Sequence, residues 1–135
     1  MNAWLGVVSK THVVRAVELG IAQFNHGARA PLARLRPGDT VVYYSPRADY
    51  PQGEPLKAFT AIGTVLDNEI WQALDGEFRP WRRRVEYRHA NEVPIRDLTG
   101  ELDLTSTPNW GYALRRGTLP LTEHDARLIE TAMCD

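Results

Sequence analysis

A chain of 135 residues, 43% hydrophobic and 24% charged, has the make-up of a soluble globular protein, and its length suits one domain, 1–135, rather than two. The formal net charge of −1 argues against a generic polyanion binder, and no apolar run approaches the roughly 20 residues that span a bilayer. Met1-Asn2-Ala3-Trp4 lacks a basic segment ahead of an apolar core, and the one cysteine, Cys134, cannot form an internal disulfide, so the cytoplasm is the expected compartment.

The first predicted strand covers 3–8, where Gly6 admits close approach by another backbone. Ser9 suits a helix N-cap. Residues 10–19 then place Val13, Val14 and Val17 at helical spacing, with Gly20 fitting the position after the helix. A strand returns at 21–24, and Asn25-His26-Gly27 breaks it. Residues 28–35 are basic, with a short helical turn after Pro31. Pro37-Gly38-Asp39 is a tight turn, because proline fixes φ and glycine accepts a positive φ. It launches Thr40-Val41-Val42-Tyr43-Tyr44, a β-branched and aromatic run that reads as a strand buried on both faces. Ser45-Pro46 is expected to end it, since proline donates nothing to a sheet ladder.

Residues 47–55 are a loop by composition. A strand over 58–66 puts Phe59, Ala61, Gly63 and Val65 on one face and Thr60, Ile62 and Thr64 on the other. The stretch 67–80 reads as an irregular excursion bearing Trp71 and Phe78. From 82 to 93, Val85, Tyr87, His89 and Val93 share a core side, while Arg82, Arg84, Glu86 and Arg88 form a ladder of mostly guanidinium groups on the other. Pro94 ends this strand. A helical turn and a break at Gly100 follow within 95–104, then Asn109-Trp110-Gly111 and Leu119-Pro120-Leu121. Thr122 with Asp125 three residues on resembles a capping box for a closing helix over 123–133, with Ala126, Ile129 and Met133 inward. One early helix, one late helix and several strands fit an α+β domain with a strongly bent mixed sheet or open barrel. Without regular βαβα alternation, a doubly wound fold is not expected.

Charge is segregated along the chain. Residues 79–96 hold six arginines against Glu86 and Glu92, whereas 58–78 carry four acids and no base. Folding either gathers a positive face or interleaves these segments. His12, His26, His89 and His124 show no metal-ligand spacing, no phosphate-loop or nucleophile-elbow motif occurs, and Glu101 with Asp103 reads as a solvated turn. No metal, cofactor or catalytic residue is therefore expected, although folding can still assemble a nucleophile–base pair, such as Ser45 with His12 or His26. Aromatics beside turn residues (Phe24, Trp71, Phe78, Trp81 and Trp110), combined with the arginine ladder and the Tyr44-Ser45 strand exit, supply what base stacking and phosphate neutralisation need.

Several stretches, in order along almost the whole chain, resemble the EVE-domain family of the PUA-like superfamily, which includes PUA, ASCH and YTH domains. They include Trp4-Leu5-Gly6-Val7-Val8-Ser9-Lys10-Thr11-His12-Val13, Asn25-His26-Gly27, Pro31-Leu32, Tyr43-Tyr44-Ser45-Pro46, Phe59-Thr60-Ala61-Ile62-Gly63, Phe78-Arg79-Pro80-Trp81-Arg82 and Asn109-Trp110-Gly111-Tyr112. The resemblance implies a PUA-like open β-barrel of five to six strands flanked by short helices, with a pocket that accepts a base. It implies a pocket wall of Ser9, Lys10 and His12, a second of Phe24, Asn25, His26 and Gly27, a floor of Tyr44, Ser45 and Pro46, and closure by Phe78, Arg82 and Trp110. Arg29, Arg84 and Arg88 would meet a nucleic-acid backbone, while Trp4 and Trp81 belong to the core. The chain departs from relatives at Ala28-Arg29, where lysine often follows the His-Gly.

The expected function is therefore a non-catalytic nucleic-acid-binding domain that takes a modified nucleobase in DNA or RNA, with Asn25 and Ser45 reading the base edge. A pocket for a free nucleoside or small metabolite is the alternative, and a small ASCH-like hydrolase is a third. A monomer is favoured, with no membrane partner.

Overall fold

The structure, a computed structural model, describes residues 2–50 and 52–134. Pro51, in the loop expected over 47–55, lies outside the described residues, as do Met1 and Asp135. The strands are β1 (Ala3–Val7), β2 (Ile21–Ala22), β3 (Thr40–Arg47), β4 (Pro55–Gln72), β5 (Trp81–Tyr87), β6 (Val93–Pro94) and β7 (Thr118–Leu121). The helices are α1 (Lys10–Leu19), α2 (Ala30–Ala33), α3 (Trp110–Ala113) and α4 (Glu123–Met133), with 3₁₀ turns at Asn25–Gly27, Ile95–Asp97 and Leu114–Arg116. The fold is mixed α+β. It differs from the expected barrel of five to six strands: seven strands form one sheet in the order β2-β5-β4-β3-β1-β7, with β6 on β4, and the sheet is not closed into a barrel.

The predicted turn at 37–39 anchors the sheet. Gly38 adopts φ 91°, and the Asp39 N–H donates to Arg36 O at 3.0 Å. The buried Asp39 carboxylate accepts from the Asn2 and Arg36 amides and from Trp4 Nε1. Strand β3 then pairs with β1 in parallel and with β4 antiparallel. Its residues alternate between two cores, as period-2 geometry requires. Val42 and Tyr44 join Leu5, Phe59, Ile62, Ile129 and Met133 under α4. Val41 and Tyr43 join Val13, Phe24, Leu32, Val65 and Val85 on the opposite side, where α1 and α2 lie.

Several boundaries differ from the sequence expectation. Strand β3 continues through Pro46 to Arg47, because the ladder is already irregular there: pairing shifts between Ser45 and Arg47, and Lys57 opposite takes φ 54°. A bulge also changes the faces of β4. Tyr43 pairs with Ala61 but Tyr44 with Phe59, so Thr60 is the extra residue. An extra residue reverses the alternation, which puts Phe59 in the same core as Ile62 rather than beside Ala61. The stretch expected to wander from 67 to 80 instead prolongs β4 to Gln72, which turns back through a hairpin into β5. The other predicted strands are also trimmed. The third segment pairs only over β2, and β5 stops at Tyr87, short of β6.

Helix α1 occupies the predicted residues and ends on Gly20 at φ 66°. Its inward residues are Val13 and Ala16, however, while Val14 and Val17 face solvent. Gly6 is needed for an approaching ring rather than a backbone: a Cβ there would lie 2.5 Å from Phe24 Cε1. Half of the expected capping box forms at α4: Thr122 Oγ1 accepts from the Asp125 N–H, but the Asp125 carboxylate is turned to other amides. Ile129 and Met133 are fully buried. Asp125 is buried too, and its two carboxylate oxygens accept from the Asp103 and Leu104 amides.

Arg83 has no counterpart in the sequence expectation. It lies on the core side of β5 at 2% exposure. Its guanidinium donates to the carbonyls of Leu32, Leu35 and Asp67 and to Asn68 Oδ1. These contacts tie the end of α2 to the outer part of β4, and burial pulls the guanidinium pKa downward. No helix among the described residues is long and apolar enough to cross a membrane.

Candidate functional site

A cavity of about 550 Å³ opens between α1, the 3₁₀ turn at 25–27, the exit of β3 and the tip of the β4–β5 hairpin. That volume lies within the range of small-molecule sites, roughly 300–1,000 Å³. Four local features build it. Strand β1 hands over to α1 at Val8, whose N–H donates to Tyr44 O, while the Thr11 N–H donates to Ala48 O. These bonds fix the N-terminus of α1 beside the β3 exit. From there His12, Arg15, Ala16 and Leu19 face the cavity, at the i, i+3, i+4, i+7 spacing of one helix face.

The turn at 25–27 is the second feature. Asn25, His26 and Gly27 take φ of 48°, 57° and 84° in succession, a left-handed run that asparagine, histidine and glycine tolerate better than other residues. Asn25 is locked by its side-chain amide, Nδ2 donating to Arg116 O at 2.7 Å and Oδ1 accepting from Thr118 Oγ1. Gly117, at φ 78°, has no room for a Cβ because Asn25 Nδ2 would be 2.6 Å away. The amide therefore clamps the start of β7, and the neighbouring His26 ring meets Tyr50 edge-on at 5.7 Å between centroids.

Third, the β4–β5 hairpin carries Asp75 and Phe78 to the opposite rim. Their backbones exchange N–H···O bonds of 2.9 and 3.1 Å across the tip. Gly27 permits this closure, since a Cβ on it would stand 2.6 Å from Pro80. Fourth, Arg82 of β5 points inward with its side chain 12% exposed. Its Nε donates to Gln23 Oε1 at 3.0 Å.

The floor combines apolar and neutral polar groups. Tyr43 reaches it from β3, its hydroxyl accepting from the Gln23 N–H. Burial pushes the Tyr43 phenol up to about 12, so it stays neutral at physiological pH. Tyr87, whose hydroxyl donates to Ile21 O, is also raised well above the ordinary phenol value by burial. Ser9 is the exception to satisfied bonding. It is 7% exposed, lines the cavity, and its Oγ has no hydrogen-bond partner among the described residues. Its side chain does not cap α1. A buried unpaired hydroxyl costs about 1–3 kcal/mol relative to a paired one.

Of the residues that the sequence pointed to, the cavity brings together Ser9, His12, Asn25, His26, Pro46, Phe78 and Arg82. The others are placed elsewhere. Lys10 turns away to Glu92, 2.8 Å distant, and Phe24 is wholly enclosed in the core. Gly27 is backbone support. Tyr44 packs edge-on against Phe59, and the Ser45 hydroxyl pairs with Thr60 Oγ1 at 2.8 Å rather than with either histidine. Trp110 packs against the core beneath α4. Reading of a base edge therefore cannot use Ser45, and the Asn25 amide is already engaged.

The arginines expected to meet a nucleic-acid backbone are also committed. Arg84 pairs with Asp67 and Glu69 and lies 4.9 Å above Trp71. Arg88 pairs with Glu130, and Arg29 covers the ring of Trp81 at 5.6 Å. Trp4 and Trp81 are half-buried against the α1-side core, as expected. Arg15, Gln23, Tyr43, Asp49, Tyr50, Asp75 and Arg115 line the cavity without having been singled out. Arg15 was within reach of helical spacing from His12, and Asp75-Gly76 is a hairpin signal. Tyr50 and Arg115 arrive from loops distant in sequence and offer no such signal.

Comparison with known proteins gives this architecture its family. The EVE domain model matches residues 2–132. The chain is 52% identical over 132 residues to a UPF0310 protein of Renibacterium salmoninarum, covering 98% of this chain and 95% of that one. It is 37% identical to the UPF0310 protein YdcG of Bacillus subtilis, with 98% and 92% covered. Among solved structures, a protein of Rhodopseudomonas palustris superposes with a TM-score of 0.58 at 20% identity, over 96% of this chain and 90% of that one. A protein of Leishmania major gives 0.58 at 13% identity, over 96% and 92%. Such distant likenesses show a shared fold alone. The chain belongs to the EVE domain family.

Proposed function

We propose that this EVE domain is a non-catalytic nucleic-acid-binding protein whose cavity receives one extruded nucleobase, a modified cytosine or adenine in DNA or RNA. The observation that carries this reading is the unpartnered Ser9 hydroxyl, buried in the wall of a cavity rimmed by the rings of His26, Tyr50 and Phe78. A flat ligand with an edge acceptor or donor satisfies that hydroxyl and is flanked by rings. Four arginines face the same cavity, Arg15, Arg47, Arg82 and Arg115, against two aspartates, so an anionic strand is favoured there although the whole chain is slightly acidic.

Extruding a base costs a few kcal/mol in a duplex and less in a single strand. Stacking returns about 1–3 kcal/mol per base. Recognition of a single methyl is limited to about 1–3 kcal/mol, so discrimination between modified and unmodified bases is modest and affinity falls with salt. The test is titration of fluorescent oligonucleotides, modified and unmodified, at two salt concentrations. Tighter, salt-sensitive binding to one modified strand supports the reading; equal binding to all, insensitive to salt, overturns it. The second reading is a free nucleoside or small acidic metabolite, favoured by the same arginines, and thermal-shift assays with free nucleosides against oligonucleotides separate the two.

A further inference from the structure

We propose that Arg15 and Arg82 form an anion subsite inside the cavity, built for a phosphoryl or phosphodiester group, and that Asp75 of the protein's own hairpin occupies it until a ligand displaces the carboxylate. This deepens the base-binding reading and rests on it only for the identity of the ligand.

The geometry is lopsided. Arg15 Nη2 lies 3.2 Å and Arg82 Nη2 3.7 Å from the same atom, Asp75 Oδ2. Two guanidinium groups thus share one carboxylate oxygen, leaving one positive charge in excess. Arg82 also donates to the neutral Gln23 amide, yet its side chain is mostly buried, where an under-neutralised charge is costly. The other acid lining the cavity, Asp49, is engaged by the Tyr50 N–H and Thr11 Oγ1. A phosphate group offers each guanidinium its own oxygen, in the forked geometry that arginine favours. Asp75 stands at a hairpin tip whose next residue, Gly76, has open space on its side-chain face. The Asp75 side chain is itself 37% exposed, so a change of its rotamer alone frees both guanidinium groups.

A free nucleotide and a nucleic-acid strand both carry this chemistry, and calorimetric titration separates them. The probes are cytidine, cytidine 5′-monophosphate, inorganic phosphate and a short oligo-deoxycytidine strand without terminal phosphate, against wild type, D75N, R15Q and the D75N/R15Q double variant. D75N is expected to bind the phosphate-bearing probes about three- to tenfold more tightly, the scale of one partly exposed ion pair, with cytidine unchanged. R15Q is expected to weaken them by a similar factor, and the double variant to cancel the gain. A gain for the strand assigns the subsite to a phosphodiester, whereas a gain confined to the monophosphate and inorganic phosphate assigns it to a free nucleotide. Gain for phosphate with no base-dependent binding anywhere retires the nucleobase reading but keeps the subsite. Folded D75N with unchanged or weaker affinity for every phosphate-bearing probe overturns the proposal. Should D75N fail to fold, R15Q that binds them as wild type does overturns it equally.

Discussion

Arg82 and Arg83 are adjacent on β5, and they do opposite things with the same side chain. Arg83 gives its donors to three main-chain carbonyls and an asparagine oxygen in the core. Arg82 meets a glutamine and a shared, distant carboxylate at the cavity wall. A guanidinium whose partners belong to the backbone holds the fold together, while one with weak partners beside a cavity is available to a ligand. The α4 side of the sheet is filled by Leu5, Phe59, Ile62, Ile129 and Met133. The α1 side leaves a cavity between the helix and the hairpin.

The sharpest way to break this contrast is substitution of the two arginines. Arg83→Met strands the carbonyls of Leu32, Leu35 and Asp67 and should lower unfolding free energy by about 3 kcal/mol or more, at about 1–3 kcal/mol for each buried acceptor left unpaired. Denaturant unfolding measures it. Arg82→Met should cost less than about 1 kcal/mol of stability but weaken oligonucleotide binding. A reversed order of stabilities would refute the division of labour.

Gly6→Ala tests the packing beneath the cavity floor. Its new methyl meets the Phe24 ring at 2.5 Å and Tyr43 at 3.0 Å, and overpacking of this kind costs about 1–3 kcal/mol. Thermal unfolding should show the loss. Tyr50→Ala, at an exposed rim ring, should leave stability within about 0.5 kcal/mol and weaken base binding by about 1–3 kcal/mol. Equal affinities for wild type and Y50A would remove Tyr50 from the rim.

The smallest effect concerns His124, far from the cavity. Its ring nitrogen bonds Glu101 O at 2.9 Å, and that bond, with Asp103, Asp125 and Glu101 nearby, raises its pKa above 6.5. A raised folded value means the contribution is complete below pH 6.5 and is lost as pH rises through the folded pKa. His124→Gln should therefore narrow the stability difference between pH 6 and pH 8, and an unchanged difference would show that the histidine is uncoupled from folding.

How much was legible in the sequence follows the same divide. Local chemistry announced the 37–39 turn, the doubly buried β3, the length of α1 and the Thr122 cap, because each rests on residues within a few positions of one another. The bulge at Thr60 was hidden, since it depends on which partner β3 meets, and it moved Phe59 to the other core. Arg83 shares the parity of the core-side Val85, but a charged residue inside an arginine run gave no sign that it would be buried. In the cavity, His12 and His26 were visible through the family resemblance of the motifs that carry them. Ser45 and Tyr44 misled because a polar strand exit reads alike whether it opens on a cavity or on Thr60. Tyr50 and Arg115 converge only in three dimensions.

The central claim is that the cavity takes a base. It is tested most directly by titrating the protein with two single strands that differ at one position, one bearing the preferred base and the other an abasic site, at fixed salt. The account predicts that the abasic strand binds about tenfold or more weakly, the equivalent of losing one stacked base. Equal affinity for both strands would mean that only phosphates are held, and would contradict it.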